Sequence, residues 1–290
     1  MSTPLESYPE LARAIGVPTL YFKRDDLHEY GSHKGRSIPV MIDLYYASGD
    51  REFVISSSGN AALAAALYIK ELNNRSDEKA SLDILVGIHI APHKLEKLKK
   101  LEDKYIRILS KERPLQAILQ ATDEGKRSLR QSTDDTALIG YESLAQELLD
   151  IKNLGAVFIG TSSGTTAQAL ASYFATHKHP VQVHIVQTSS CHPLSDTYSV
   201  YDGPEERSIA DAIVDITAHR KKYLLPLIEK TGGYGWVATN EQIEAAQTIV
   251  WDNEQLEIST NSALSVAGLM QAVYTGREIT GAVVCMICGE

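Results

Sequence analysis

Short apolar runs alternate along this chain with longer stretches of helical periodicity, and this alternation restricts its fold more than any other feature. Apolar residues 53–55 end at a serine and glycine cluster, and the alanine- and leucine-rich residues 61–69 follow. This pattern predicts a buried strand, a tight turn and a buried helix. Repeated units of this kind predict an α/β protein with mainly parallel sheets and helices on both faces. Further strands are predicted at residues 84–90, 105–109, 156–160, 181–186 and 281–287.

The series of strands and helices starts again near residue 151, which favours two sheets over one. Thr239 and Gln242 stand three apart at the head of an apolar stripe, which predicts a helix that begins with a capping box.

Charge and cysteine content narrow the class of protein. The 290 residues carry a formal net charge of -9, which argues against a general nucleic-acid binder, because that function needs a cationic face. No apolar stretch approaches the ~20 residues of a membrane-spanning helix. The N-terminus lacks the basic and apolar regions of a signal peptide, and three cysteines fit a reducing compartment. We therefore expect a cytoplasmic protein with no nucleic-acid or membrane partner.

A metal site is not expected. Cys285 and Cys288 form a single C-x-x-C on a predicted strand, where residues three apart point to opposite faces. A lone pair of this kind, without a second pair or nearby histidines, is a poor zinc site.

The first segment with chemical potential is Gly-Ser-His-Lys-Gly-Arg at residues 31–36. Small residues flank Lys34 and would let a planar ligand approach it closely. Partial desolvation lowers the pKa of a lysine, and the neutral amine is the form that attacks an aldehyde. Taken alone, a basic turn facing solvent is the simpler interpretation.

Two hydroxyl-rich segments follow predicted strands. Residues 56–60, Ser-Ser-Ser-Gly-Asn, combine hydroxyl groups with a helix N-terminus, which suits a carboxylate or a phosphate. Simple N-capping by serine is the alternative for that segment. Residues 160–166, Gly-Thr-Ser-Ser-Gly-Thr-Thr, fit either a phosphate cup or a flexible turn. They lack the Lys-Ser/Thr pair of a nucleotide P-loop and the three spaced glycines of a dinucleotide fingerprint.

In their order and separation, these segments resemble the fold-type II pyridoxal phosphate enzymes. That family includes threonine synthase, cysteine synthase, the serine and threonine dehydratases and the tryptophan synthase β subunit. GSHKGR resembles the family's G-S-x-K-x-R motif, and SSSGNAALAAALY resembles the threonine synthase version of its S-G-N loop. GTSSGTTAQAL occupies the place of the glycine-rich phosphate loop. The resemblance runs from about Pro18 to the last residue.

The resemblance implies two three-layer α/β/α domains: a larger one that combines residues 1–40 with residues 151–290, and a smaller, mobile one that spans residues 41–150. It also implies pyridoxal 5'-phosphate as the cofactor, bound in the cleft between the domains, and a role for each matching residue. Lys34 would hold the cofactor as a Schiff base and later move the Cα proton of the substrate. Asn60 would hydrogen-bond the ring hydroxyl, His33 would approach the phosphate, and Cys288 would face the pyridine nitrogen. The substrate carboxylate would be held by Ser57, Ser58 and Gly59, and the cofactor phosphate by Ser162, Ser163, Gly164, Thr165 and Thr166.

The chain departs from the family pattern in several places. Ser162 and Ser163 stand within a loop that is glycine-rich in relatives, and Ser259-Thr260 stands where many relatives carry Glu-Pro. Cys288 replaces a serine or threonine and is a weaker hydrogen-bond partner. A neutral partner keeps the pyridine a mild electron sink, which suits reactions in which a leaving group departs. The sequence stops directly after the last motif, as in a truncated or divergent member.

The resemblance implies a lyase or synthase that catalyses β- or γ-elimination or replacement on a small amino acid and acts as a homodimer. Threonine synthase is the nearest match in motif. Two alternatives stay open. The chain could be a non-catalytic paralogue that binds or regulates, or a plain nucleotide-binding domain, in which Lys34→Ala would leave ligand binding intact.

Overall fold

The computed structural model describes residues 2–203 and 207–289, which form two compact units. Unit 1 combines Met1–His28 with Tyr141–Glu290, and unit 2 is Glu29–Gly140. The strands in the described residues are β1 (Leu5–Ser7), β2 (Leu20–Arg24), β3 (Glu52–Ser56), β4 (Ser81–Gly87), β5 (Ile106–Lys111), β6 (Arg127–Ser128), β7 (Leu154–Gly160), β8 (Gln182–Thr188), β9 (Gly235–Ala238) and β10 (Ala282–Ile287). The helices are α1 (Pro9–Ile15), α2 (Lys34–Ala47), α3 (Asn60–Arg75), α4 (Pro92–Lys99), α5 (Pro114–Asp123), α6 (Thr136–Ile139), α7 (Glu142–Leu149), α8 (Thr165–Thr176), α9 (Lys221–Lys230), α10 (Asn240–Glu254) and α11 (Thr260–Tyr274).

Unit 1 is built on a six-stranded sheet with the order β1-β2-β10-β7-β8-β9. β1 pairs antiparallel with β2, and the other neighbours pair in parallel. Helices cover both faces, as alternation along β7 demonstrates. Ala156 and Phe158 join the core under α1, α10 and α11, whereas Val157 and Ile159 point the other way and are equally buried. The predicted α/β class with mainly parallel sheets is confirmed.

A histidine side chain, that of His184, is buried within this sheet. His184, on β8, is fully buried and stacks on Phe158 with ring centroids 4.2 Å apart. Its Nδ1 accepts a hydrogen bond from Trp236 Nε1 at 3.2 Å, and its Nε2 lies 3.0 Å from Gln182 Oε1. Because tryptophan can only donate, Nδ1 carries no proton and Nε2 donates to Gln182. Burial, with a further contribution from the charge of Arg277, lowers the pKa of His184 to about 3.

Unit 2 contains a four-stranded parallel sheet with the order β5-β4-β3-β6. Phe53 and Ile55 of β3 pack in a core with α2, α3 and α4. Val54, between them in sequence, points to the opposite face and packs with Ile118 of α5. The period of two in β3 therefore divides its side chains between two helical layers.

The limits of the two units differ from the sequence-based domain limits at residues 40/41 and 150/151. Helix α2 packs on α3, and Ser37 Oγ donates to the carbonyl of Ala137 at 2.7 Å, so residues 29–40 belong with unit 2. Helix α7 packs on α8 and therefore belongs with unit 1. Lys34 consequently lies in unit 2.

The described residues contain neither a candidate membrane span nor a candidate metal site. None of their helices is both long and apolar enough to cross a membrane. No group of three or more His, Cys, Asp or Glu side chains among them could hold a metal ion. None of the three cysteines forms a disulfide, and all three are buried.

Candidate functional site

Lys34 is the first residue of α2, and it follows a tight turn. Gly31 adopts a left-handed φ of +79°, which favours glycine. Ser32 is fully buried, and its Oγ accepts a hydrogen bond from the backbone N–H of Lys34 at 3.3 Å. The side chains of His33, the N-cap residue, and Lys34 are half-buried. Among the described residues of unit 2, none forms a hydrogen bond or ion pair with Lys34 Nζ. The turn therefore places the amine of Lys34 at the start of a helix, with no hydrogen-bond or ion-pair partner among the described residues of its own unit.

The loop between β3 and α3 carries the three predicted carboxylate-binding residues. Ser57 and Gly59 are half-buried and Ser58 is exposed. Ser57 Oγ accepts a hydrogen bond from the backbone N–H of Gly59 at 3.3 Å. Gly59 is the N-cap of α3, no side chain caps this helix, and a Cβ added to Gly59 would meet nothing within 4 Å. The first turn of α3, which starts at Asn60, therefore has backbone N–H groups in position to bind an anion.

The loop after β7 leads into α8 through a glycine that the backbone requires. Gly164 is the N-cap of α8 with a φ of +86°, and no side chain caps this helix. Ser163 Oγ and Thr165 Oγ1 lie 2.9 Å apart. Thr165 and Thr166 are buried, whereas Ser163 is half-buried at the rim. This arrangement of hydroxyls around a helix N-terminus suits a phosphate group.

The hydroxyl of Ser162 is bonded to a segment that lies far along the chain. It accepts hydrogen bonds from the backbone N–H groups of Val214 (3.1 Å) and Asp215 (3.2 Å). It also donates to Asp215 Oδ2 at 3.2 Å. Ser162 thus fastens residues 214–215 to the edge of the hydroxyl-rich loop. A phosphate in this loop would meet the hydroxyl of Ser163 and the backbone of Ser162.

Arg220 lies behind the loop and carries no sequence signal of its own, because it belongs to the cationic run Arg220-Lys221-Lys222. Its side chain is buried, with 2% of the residue exposed. Nε donates to Thr165 Oγ1 at 3.2 Å, and Nη1 donates to Gln168 Oε1 at 3.0 Å. The fold therefore supplies a buried positive charge beneath the first turn of α8, which sequence reasoning missed.

Cys288 follows β10 directly and is held by its backbone. Its N–H donates to Ser262 Oγ at 3.1 Å, and the N–H of Gly289 donates to the same oxygen at 3.3 Å. Ser259, the N-cap of α11, donates to the carbonyl of Gly289 at 2.7 Å. Cys285 is fully buried, and burial raises the pKa of its thiol. Ser259, one of the two residues that stand in place of Glu-Pro, therefore forms part of the clamp on the chain after β10.

The predicted site residues are divided between the two units. Unit 2 contains Lys34, His33, Asn60 and the residues of the serine loop, and unit 1 contains the hydroxyl-rich loop and Cys288. Each unit has its own set of donors. Unit 2 offers a half-buried amine, which suits an aldehyde, and unit 1 offers hydroxyls, a helix N-terminus and a buried guanidinium, which suit a phosphate.

Comparison with known proteins gives matches over the whole chain. The family model described as "Pyridoxal-phosphate dependent enzyme" matches residues 1–289. Threonine synthase of Methanosarcina acetivorans is 26% identical over 309 residues, which cover 99% of this chain and 74% of that protein.

Solved structures with the same fold include a pyridoxal 5'-phosphate-dependent aspartate racemase. Its TM-score is 0.82 at 21% identity, and the match covers 100% of this chain and 90% of the racemase. Threonine deaminase isoform 2 from Solanum lycopersicum has a TM-score of 0.80 at 20% identity and covers 100% and 84% of the two chains. At these identities the structural likeness concerns the fold.

Proposed function

This chain belongs to the pyridoxal-phosphate dependent enzyme family, and from that premise we propose that it catalyses β- or γ-elimination or replacement on a small amino acid. The family and the cofactor predicted from the motifs are thereby confirmed. The reaction is our inference. It is supported by the match to threonine synthase over 99% of the chain and by the neutral Cys288 after β10.

The observation that carries the proposal is the state of Lys34. Its amine is half-buried, stands at the start of α2, and has no hydrogen-bond or ion-pair partner among the described residues of its unit. An amine engaged in a structural ion pair would have to break that pair before it could react. In our proposal Lys34 holds the cofactor covalently and takes the proton from the Cα of the substrate.

The remaining residues bind and orient. Ser57, Ser58 and Gly59 hold the substrate carboxylate, with help from the first turn of α3. Asn60 would bind the ring hydroxyl of the cofactor, and Cys288 would face its ring nitrogen. When bound, pyridoxal phosphate would supply an electron sink for the charge that develops at Cα. Its phosphate would be held by Ser162, Ser163, Gly164, Thr165 and Thr166.

The attachment site is tested by absorption spectroscopy and peptide mapping. The protein is reconstituted with pyridoxal phosphate, its visible spectrum is recorded before and after borohydride reduction, and the reduced adduct is mapped. We expect one adduct, on Lys34. Lys34→Ala should abolish it, whereas Lys70→Ala should not, because Lys70 is a half-buried lysine of the same unit that pairs with Asp103. An adduct spread over surface lysines would contradict the proposal.

The reaction class is tested by turnover of serine, threonine and activated homoserines. Release of an oxo acid, or formation of a replacement product, would support elimination or replacement. Inversion of the amino acid without release of a substituent, followed by chiral chromatography, would instead make the chain a racemase. An adduct on Lys34 without any turnover would favour the non-catalytic paralogue.

We further propose that the chain works as a homodimer in the cytoplasm. The family resemblance motivates the dimer, and three cysteines that form no disulfide fit a reducing compartment. Light scattering coupled to size-exclusion chromatography, at several protein concentrations, should give twice the 31.8 kDa of one chain. A mass of one chain at all concentrations would contradict the dimer.

A further inference from the structure

Arg220 is in direct contact with the hydroxyl-rich loop but cannot itself be reached from solvent. It is the N-cap residue of α9, and its Cβ lies 3.9 Å from the position that a Cβ on Gly164 would take. Its guanidinium donates to two residues of α8, Thr165 and Gln168, of which 1% and 7% is exposed. The guanidinium is therefore fixed in place beneath the loop by the first turn of the helix.

A line of hydrogen bonds leads from this buried cation toward the surface. Arg220 Nε donates to Thr165 Oγ1, which lies 2.9 Å from Ser163 Oγ. Thr165 is buried, and Ser163 is half-buried at the rim. Arginine can only donate, and a phosphate dianion can only accept. The order that satisfies both ends has Arg220 donating to Thr165, Thr165 donating to Ser163, and Ser163 donating outward to the phosphate.

Hydrogen bonds that begin at an ionised donor are stronger than neutral ones. The bond from Arg220 Nε to Thr165 Oγ1 is of this kind, and it links the guanidinium to the pair of hydroxyl groups that reaches the rim of the loop. A phosphate at the rim would therefore be attracted by the guanidinium through these two hydroxyl groups.

We propose that Arg220 is a positioning residue for the cofactor phosphate, which it serves by orienting the Thr165 and Ser163 hydroxyls and polarising them toward the anion. The inference rests on the proposed seat of the phosphate at residues 162–166. In this role, Arg220 makes the loop selective for a phosphate-bearing aldehyde over the same aldehyde without phosphate.

The experiment compares the dissociation constants of pyridoxal phosphate and pyridoxal for the wild-type protein and for Arg220→Gln. We expect the constant for pyridoxal phosphate to rise by about 10- to 100-fold, as for the loss of one hydrogen bond to a charged group. The constant for pyridoxal should stay unchanged. The dissociation constant of pyridoxal phosphate for Arg220→Lys should lie between those for the wild-type protein and for Arg220→Gln, because lysine keeps the charge but lacks the planar guanidinium. Arg277→Gln is the matched control, since Arg277 donates to the carbonyls of Gly232 and Gly233 in the same unit.

A purely structural role predicts a different result. If Arg220 only supported the fold, Arg220→Gln would weaken both aldehydes alike, and this outcome would overturn the proposal, as would an unchanged constant for pyridoxal phosphate. Thr165→Val tests whether Arg220 acts through the Thr165 hydroxyl. The effect of Arg220→Gln should shrink in the Thr165→Val background, and full additivity would contradict transmission through this hydroxyl.

A second measurement separates this inference from the proposed function. Inorganic phosphate should raise the Tm of the wild-type protein and of Arg277→Gln, and raise that of Arg220→Lys less. One outcome is that the wild-type protein forms no adduct on Lys34 while phosphate still raises its Tm more than that of Arg220→Lys. The proposed function would then fail, and the role of Arg220 at an anion site would stand. If phosphate raised the Tm of Arg220→Lys as much as that of Arg277→Gln, the role of Arg220 would be overturned.

Discussion

Gly164 offers the sharpest test of how the hydroxyl-rich loop is built. Its φ of +86° lies in the left-handed region, which costs a residue with a Cβ about 1–2 kcal/mol. A Cβ at this position would also lie 2.7 Å from Leu224 Cδ2 and 3.2 Å from Leu194 Cδ1. Both leucines are fully buried, so relief requires repacking at a cost of about 1–3 kcal/mol. We therefore expect Gly164→Ala to destabilise the protein by about 2–5 kcal/mol.

Gly276 provides a control that separates the two costs. Its φ is +71°, it lies in the same unit, and a Cβ added to it would meet nothing within 4 Å. Gly276→Ala should therefore lose only about 1–2 kcal/mol. The assay is urea unfolding followed by circular dichroism. The two variants are compared with the same m-value, the slope of the free energy of unfolding against urea concentration. Equal losses for both variants would refute the conclusion that α9 packs against the loop too tightly for a side chain.

Two further predictions concern the core of unit 1. His184 binds a proton in the unfolded chain below about pH 6.5, because that is its ordinary pKa, and in the folded chain only near pH 3. Between these two pH values the unfolded state binds more protons than the folded state. The free energy of unfolding should therefore fall by about 1.4 kcal/mol for each pH unit of acidification. Urea unfolding between pH 6 and pH 5 should show this slope, and His184→Gln should remove it. A variant with the wild-type slope would place the titration elsewhere. Ser262→Ala should cost about 1–3 kcal/mol, because it leaves the N–H groups of Cys288 and Gly289 without their acceptor. Hydrogen exchange of those two amides should accelerate, and unchanged exchange would argue against the clamp.

The strand and helix pattern could be predicted from the sequence because it depends on local periodicity. The strand predicted at residues 53–55 is β3, and the capping box predicted for Thr239 and Gln242 forms with both of its hydrogen bonds. The end of β4 was predicted at residue 90, three residues too late. Ile88 and Ile90 continue the apolar run, but the chain turns there and Ile88 is half exposed. An apolar run does not reveal where the pairing partners of a strand stop.

Arg220 and the limits of the two units could not be predicted, since both depend on contacts between residues far apart in sequence. Next to Lys221 and Lys222, Arg220 has the composition of a solvated cationic turn. It is buried because α9 packs on α8, 45 or more residues away along the chain. In the same way, α2 belongs to unit 2 because of the helices that it contacts. Local pattern thus predicted the candidate site residues, and packing supplied the residue beneath the hydroxyl-rich loop.

Helices α3 and α8 begin differently from α10 and α11, the two helices of the described residues that a side chain caps. Helices α10 and α11 begin at Thr239 and Ser259, whose side chains accept hydrogen bonds from the first turn. Helices α3 and α8 begin at Gly59 and Gly164, and no side chain caps them. The uncapped N–H groups of a helix need an acceptor from water or a ligand. At α3 and α8 these groups stand beside hydroxyl-rich loops at the carboxyl ends of β3 and β7, where parallel sheets bind their ligands. A carboxylate and a phosphate would each complete a helix that the chain leaves uncapped.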